Sequence, residues 1–134
     1  MLRERLNQLA LIAAAVVFAW VGLVGLFAPM TIAAPIAMAL QASSAVNEVR
    51  ANYGGMHLGM AALFVVGAVS KPFRRCATVV LTVFTGGLVL GRLVSIVVDG
   101  LPNRFVFQLL VAETAGAVAG ATLWLAPRSD APSS

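Results

Sequence analysis

Four charged residues stand within or at the edges of long apolar stretches of this chain: Arg50, Arg92, Asp99 and Glu113. A charge at the middle of a membrane span costs about 2.5–3.5 kcal/mol on insertion scales, so such residues pair, line a cavity or carry function. From Cys76 to Asp99 the polar side chains are Thr78, Thr82, Thr85, Arg92, Ser95 and Asp99, at spacings of 4, 3, 7, 3 and 4. Those intervals predict a single stripe on one helix, turned towards the bundle interior or a cavity. Asn47, Arg50, Gly54, His57 and Ala61, spaced 3, 4, 3 and 4, predict a second stripe. Glu113 stands in the last apolar stretch beside a ridge of small residues, Ala112, Gly116 and Gly120. Such ridges let helices approach closely.

Depth pairs these groups. Arg92 lies seven residues before Asp99, about 10 Å from the turn that follows, and Glu113 lies nine beyond Arg104, about 13 Å from the same turn. Arg92 with Glu113 is therefore the first expected ion pair. Arg50 with Asp99 is the second, nearer the surface. Tyr53, His57, Ser95 and Gln108 are placed to complete a hydrogen-bonded network on one side of the membrane. The alternative is that the pairs only fix helix register, since buried ion pairs specify packing without adding much stability. His57, the one histidine, is the side chain that most readily changes charge near neutral pH, though alone it reads as a hydrogen-bonded packing residue.

The residue types also exclude chemistry. One histidine and one cysteine, Cys76, leave no metal-ligand cluster, no CxxC pair and no intrachain disulfide. No Ser/His/Asp set and no HExxH motif occurs, and Gly86-Gly87 lies inside an apolar run rather than in a phosphate-binding loop. No catalytic residue, metal or cofactor is predicted.

The elements that must position these residues follow from composition. Of 134 residues, 60% are hydrophobic and 10% charged. Soluble domains carry about 25% charged residues, so a soluble enzyme, a disordered tail and a nucleic-acid module are excluded. The net charge of +4 then reflects the basic loops of a membrane protein rather than affinity for nucleic acid. Four apolar stretches, 6–27, 46–69, 76–98 and 105–126, are each long enough to cross about 30 Å of hydrocarbon. The expected fold is an all-α integral membrane four-helix bundle forming a single domain, 1–134, with a polar tail at 127–134. Ala28 to Ala45, broken by Pro29 and Pro35, reads as an interfacial segment, and Ser70 to Arg75 and Asp99 to Arg104 as tight turns.

Of the nine cationic residues, Arg3, Arg5, Lys71, Arg74, Arg75 and Arg128 share one side if four spans alternate. The positive-inside rule places that side, with both termini, in the cytoplasm. The first apolar run exceeds the 7–15 residues of a signal-peptide core, so it is expected to be a span rather than a cleaved leader. Trp20, Phe27 and Trp124 read as interfacial anchors, and Met56 and Met60 as gap-filling packing.

The run Asn47-Glu48-Val49-Arg50-Ala51-Asn52-Tyr53-Gly54-Gly55 resembles the opening of the second span in a family of small bacterial membrane proteins, domain of unknown function 4345. Gly91-Arg92-Leu93-Val94-Ser95 followed by Asp99-Gly100 and Pro102 resembles its second motif, and Glu113 the acidic residue of its last span. The resemblance implies a multi-pass four-helix protein of the bacterial inner membrane with no established activity. More distantly the chain is similar to DoxX-like four-helix proteins.

Three functions fit these residues. The leading one is a non-enzymatic membrane protein, or accessory subunit, whose extracytoplasmic-side polar pocket holds a lipid or another small amphipathic ligand. Asn47, Arg50, Tyr53, His57, Arg92, Ser95, Asp99 and Glu113 form its binding or structural network. The alternative is a proton-coupled transporter working as a homodimer, with Glu113 as the exchangeable carboxylate. Third is a membrane enzyme using His57 and Glu113 on a lipid-like substrate. Membrane lipids are the expected partners, and a larger membrane complex is compatible with the accessory role.

Overall fold

The computed structural model describes residues 2–125. In chain order they form α1 (Leu2–Phe27), α2 (Pro29–Ala33), a 3₁₀ turn (Ala34–Ile36), α3 (Ser43–Val49), a π-helical segment (Arg50–Gly55), α4 (Met56–Val69), α5 (Lys71–Asp99) and α6 (Arg104–Leu125). The π segment joins α3 to α4, so Ser43–Val69 is one continuous helical rod. No strand occurs among the described residues. Four helices are long and apolar enough to cross a membrane, with mean hydropathies of 2.6, 1.3, 2.0 and 1.5 along the chain.

Local sequence sets the breaks. Pro29 starts α2, where a missing N–H costs nothing, and Pro72 sits in the first turn of α5 for the same reason. The basic segment expected as a turn, Ser70 to Arg75, is therefore mostly helix: α5 begins at Lys71 and only Ser70 separates it from α4. At the other end α5 stops at Gly100, whose φ of +94° is open to glycine and strained for other residues. Asn103 then caps α6, its Oδ1 accepting from the Val106 amide at 2.9 Å. Its Nδ2 donates to the Pro35 carbonyl at 2.9 Å, tying this turn to the segment between α1 and α3. That segment lies against the bundle through the buried Pro29 and Ala33. The tail at 127–134 and Arg128 lie outside the described residues.

The core belongs to α1, α4 and α5. Leu11, Ala15 and Phe18 meet Ala61, Phe64 and Ala68, closed by Ala77 and Leu81. Phe18 packs edge-on to Phe64 with ring centroids 5.1 Å apart. The fourth helix lies on α5, where Gly116 and Gly120 face Thr85 and Thr82. The predicted small-residue ridge thus makes this contact, except that Ala112 is exposed. Outward-facing residues are as apolar as the core: Val16, Trp20, Leu90 and Val97 are all more than half exposed. An apolar exterior on every long helix is what lipid requires and what water penalises.

Candidate functional site

The site is organised by a close approach of two backbones. A Cβ built on Gly25 would stand 2.6 Å from the Tyr53 carbonyl carbon and 2.8 Å from the Gly54 nitrogen. Gly54 is buried against Leu26 from the other side, so glycine on both helices brings α1 onto the π segment with no side chain between them. Runs of π-helix are rare and concentrate at functional positions.

Here the π segment aims its aromatic and imidazole rings. Nδ1 of His57 lies 2.8 Å from the Asn52 carbonyl oxygen, five residues back. A carbonyl oxygen only accepts, so Nδ1 carries the proton and the neutral ring keeps its lone pair on Nε2. The imidazole stacks between Phe18, at a centroid distance of 5.2 Å, and Tyr53, at 5.9 Å, with Phe84 edge-on at 6.3 Å. Three rings, from α1, the second rod and α5, therefore fix its orientation.

These groups border a cleft of about 340 Å³ in the half of the bundle away from the termini. Its polar wall is Glu48, Asn52, Tyr53 and His57, and its apolar wall Met38, Val49, Met56, Phe84 and Leu88. Asn52 Nδ2 donates to the Glu48 carboxylate at 2.9 Å and to the Glu48 carbonyl at 3.1 Å, holding the acid at the rim. Glu48 is the one charged residue of this lining. Glu48 and Asn52 were not singled out as site residues from sequence, although their i, i+4 spacing signals one helix face. Met56, expected as packing, lines the cleft instead.

One helical turn beyond Leu88, Arg92 meets Glu113. Nε donates to Oε2 at 2.5 Å and an Nη to Oε1 at 2.7 Å, a bidentate pair joining α5 to α6. The side chains are 25% and 14% exposed. This is the first pair expected from depth.

The second expected pair does not form. Arg50 Nε donates to the Leu26 carbonyl at 3.2 Å, and Asp99 accepts from Ser95 Oγ at 2.9 Å. The reason is local. The last carbonyls of α1 lack helical partners, and a guanidinium beside them satisfies one while complementing the negative helix end. Asn47 and Gln108 are exposed. The sequence-derived network thus divides: Tyr53 and His57 enter the cleft, Arg92 and Glu113 pair beside it, and Arg50, Ser95 and Asp99 make separate local contacts.

The threonine half of the α5 stripe faces inward, whereas Ser95 and Asp99 at its far end are exposed. The Thr78 hydroxyl donates to Asn7 Oδ1 of α1 at 2.8 Å, but the next two turn back on their own helix. Thr82 donates to the Thr78 carbonyl at 2.8 Å and Thr85 to the Leu81 carbonyl at 2.7 Å, which satisfies both within their own helix.

No curated protein and no solved structure matches the chain. The sequence pattern of one family, described as a domain of unknown function (DUF4345), matches residues 6–126. That span holds all four long apolar helices except the first turn of α1, together with the cleft and the Arg92–Glu113 pair. The chain belongs to the DUF4345 family.

Proposed function

We propose that this chain is an integral membrane protein whose cleft beside His57 binds a small amphipathic ligand. The observation that carries the reading is the division of the cleft into a polar wall, Glu48, Asn52, Tyr53 and His57, and an apolar wall of Met38, Val49, Met56, Phe84 and Leu88. Small-molecule sites combine these features: a largely apolar enclosure and a few fixed polar groups that orient the guest.

Charge defines the head group. The arginines that would attract an anion are engaged elsewhere, Arg92 by Glu113 and Arg50 by the Leu26 carbonyl. Glu48 is an acceptor and repels anions. The ligand class is therefore a neutral or cationic head bearing hydrogen-bond donors, on an apolar body that lies against Met56 and Leu88. The bidentate pair also favours binding over proton-coupled transport through Glu113, because an exchanging carboxylate would have to surrender both bonds at each cycle. In this reading the spans alternate across a bacterial inner membrane. The termini are cytoplasmic and the cleft opens in the opposite half, in accord with the clustering of Arg3, Arg5, Lys71, Arg74 and Arg75 at the termini end.

Native mass spectrometry of the protein released from detergent micelles tests this. Wild type should retain a co-purified small molecule that Met56→Trp, which fills the cleft, loses at an unchanged unfolding temperature. Equal retention by a folded Met56→Trp variant would overturn the assignment of the cleft.

A further inference from the structure

The opposite end of the bundle carries a second and larger cleft, about 610 Å³, whose chemistry is inverted. Its charged lining is Arg3, Glu4, Lys71, Arg74 and Arg75, four cations against one carboxylate. The first turns of α1 and α5 both open onto it, so two positive helix ends add to the field. The negative ends of the other two long helices are neutralised from within. Arg3 donates to the Leu123 carbonyl of α6 at 2.7 Å, and Arg74 donates to the Ala68 carbonyl of α4 at 2.8 Å. Those bonds also pin both guanidiniums at the cleft wall. Lys71 reaches Glu4 only at 3.9 Å, with both side chains more than half exposed, a pair worth little in solvent. Arg75 is exposed.

The rest of the lining is Asn7 and Thr78, hydrogen-bonded to each other at 2.8 Å, and an apolar wall of Leu123, Trp124 and Leu125 from the last turn of α6. A cationic floor beside an apolar wall bearing a tryptophan matches the boundary between head groups and acyl chains, where tryptophan concentrates. Basic pockets between membrane helices accept anionic lipid head groups. The size and charge of the cleft fit a phosphate monoanion or dianion with a glycerol backbone attached, its chains continuing along α6.

We propose that this cleft binds the phosphate head group of an anionic phospholipid, with Lys71 and Arg75 supplying the exchangeable contacts and Arg3 and Arg74 the fixed ones. The site is separate from the cleft beside His57, and its ligand is of opposite charge. It makes lipid composition, rather than the bilayer alone, a determinant of how the termini end is held.

The test uses the full chain in nanodiscs, with native mass spectrometry after exchange into phosphatidylglycerol or phosphatidylcholine. Phosphatidylglycerol should be retained preferentially, and each cation near a membrane surface contributes roughly fivefold in affinity. Lys71→Gln/Arg75→Gln should therefore lower that preference by about 25-fold, and Arg75→Gln alone by about fivefold. Arg104→Gln, an exposed cation at the other end, should leave it unchanged. Raising NaCl from about 0.1 M to about 1 M, which shortens the screening length from about 10 Å to about 3 Å, should erode the preference in wild type without any substitution. Equal retention of the two lipids by wild type, or an undiminished preference in the folded double variant, would overturn the proposal. Displacement of the lipid by inorganic phosphate at millimolar concentration would reassign the cleft to free phosphate and overturn the lipid as its source.

Discussion

The guanidinium of Arg92 and the carboxylate of Glu113 meet through two parallel hydrogen bonds, and this pair is the sole ion pair between α5 and α6 among the described residues. Around it the contact between these helices is made by small residues, Gly116 and Gly120 against threonines, which give close packing but little apolar burial. The pair therefore supplies direction where shape supplies proximity: it fixes how far α6 has turned about its own axis.

Breaking the pair on one side should cost more than removing it whole. A lone charge in a mostly buried setting carries its desolvation penalty uncompensated, about 3–5 kcal/mol when burial is complete. With both side chains partly exposed, Arg92→Met or Glu113→Leu alone should destabilise by about 2 kcal/mol, and the double substitution by less than either. Denaturant unfolding in micelles would check it; additive losses would show the two residues to be energetically independent.

Two glycine-to-alanine substitutions in the same bundle should act with opposite sign. At Gly25 the added methyl meets the backbone of Tyr53 and Gly54, which cannot rotate away, so the helices must part, at a cost of about 1–3 kcal/mol. At Gly59 nothing lies within 4 Å, and alanine should stabilise by about 0.5–1 kcal/mol through helix propensity. Thermal unfolding followed by circular dichroism reads both.

Replacing His57 with Phe keeps the ring between Phe18 and Tyr53 but deletes the bond to the Asn52 carbonyl. Stability should fall by about 1 kcal/mol. Thermal unfolding in micelles followed by circular dichroism reads the loss, and an unchanged midpoint would show that the bond contributes nothing.

The lone cysteine offers a test of orientation. Cys76 is exposed near the end that holds the start of α1. In inverted membrane vesicles it should react with a membrane-impermeant maleimide, while Leu101→Cys in a Cys76→Ser background should react only in right-side-out preparations. Leu101 lies in the turn at the opposite end and is 84% exposed. The reverse pattern would invert the proposed topology.

How much of this was readable from sequence depends on whether helical arithmetic applied. Residues 92 and 113 lie in regular helices that share a turn at 100–103, so a fixed rise per residue placed them at one depth and they pair. Arg50 and His57 were assigned to one stripe by the same arithmetic, and there it failed. The π segment between them changes the turn angle, so Arg50 is delivered to the end of α1 and His57 to the cleft. That segment depends on the fit of Gly54 against α1, a tertiary contact that no local spacing encodes. The threonine stripe marked the inward face of the first half of α5, where Thr82 and Thr85 bond to carbonyls of their own helix and Thr78 also reaches Asn7 of α1. Pro72 misled in a simpler way: read as a breaker, it instead opens the helix.

The single residue between α4 and α5 bears on how the chain reaches its final place. With only Ser70 joining Val69 to Lys71, the two helices have no slack in which one could settle before the other. Under the topology proposed above they enter the membrane as one folded-back pair, with Lys71, Arg74 and Arg75 held at the bend on the side of the termini. Lengthening that connection would give each helix its own fate, and biogenesis would be harmed before any contact in the finished bundle had changed.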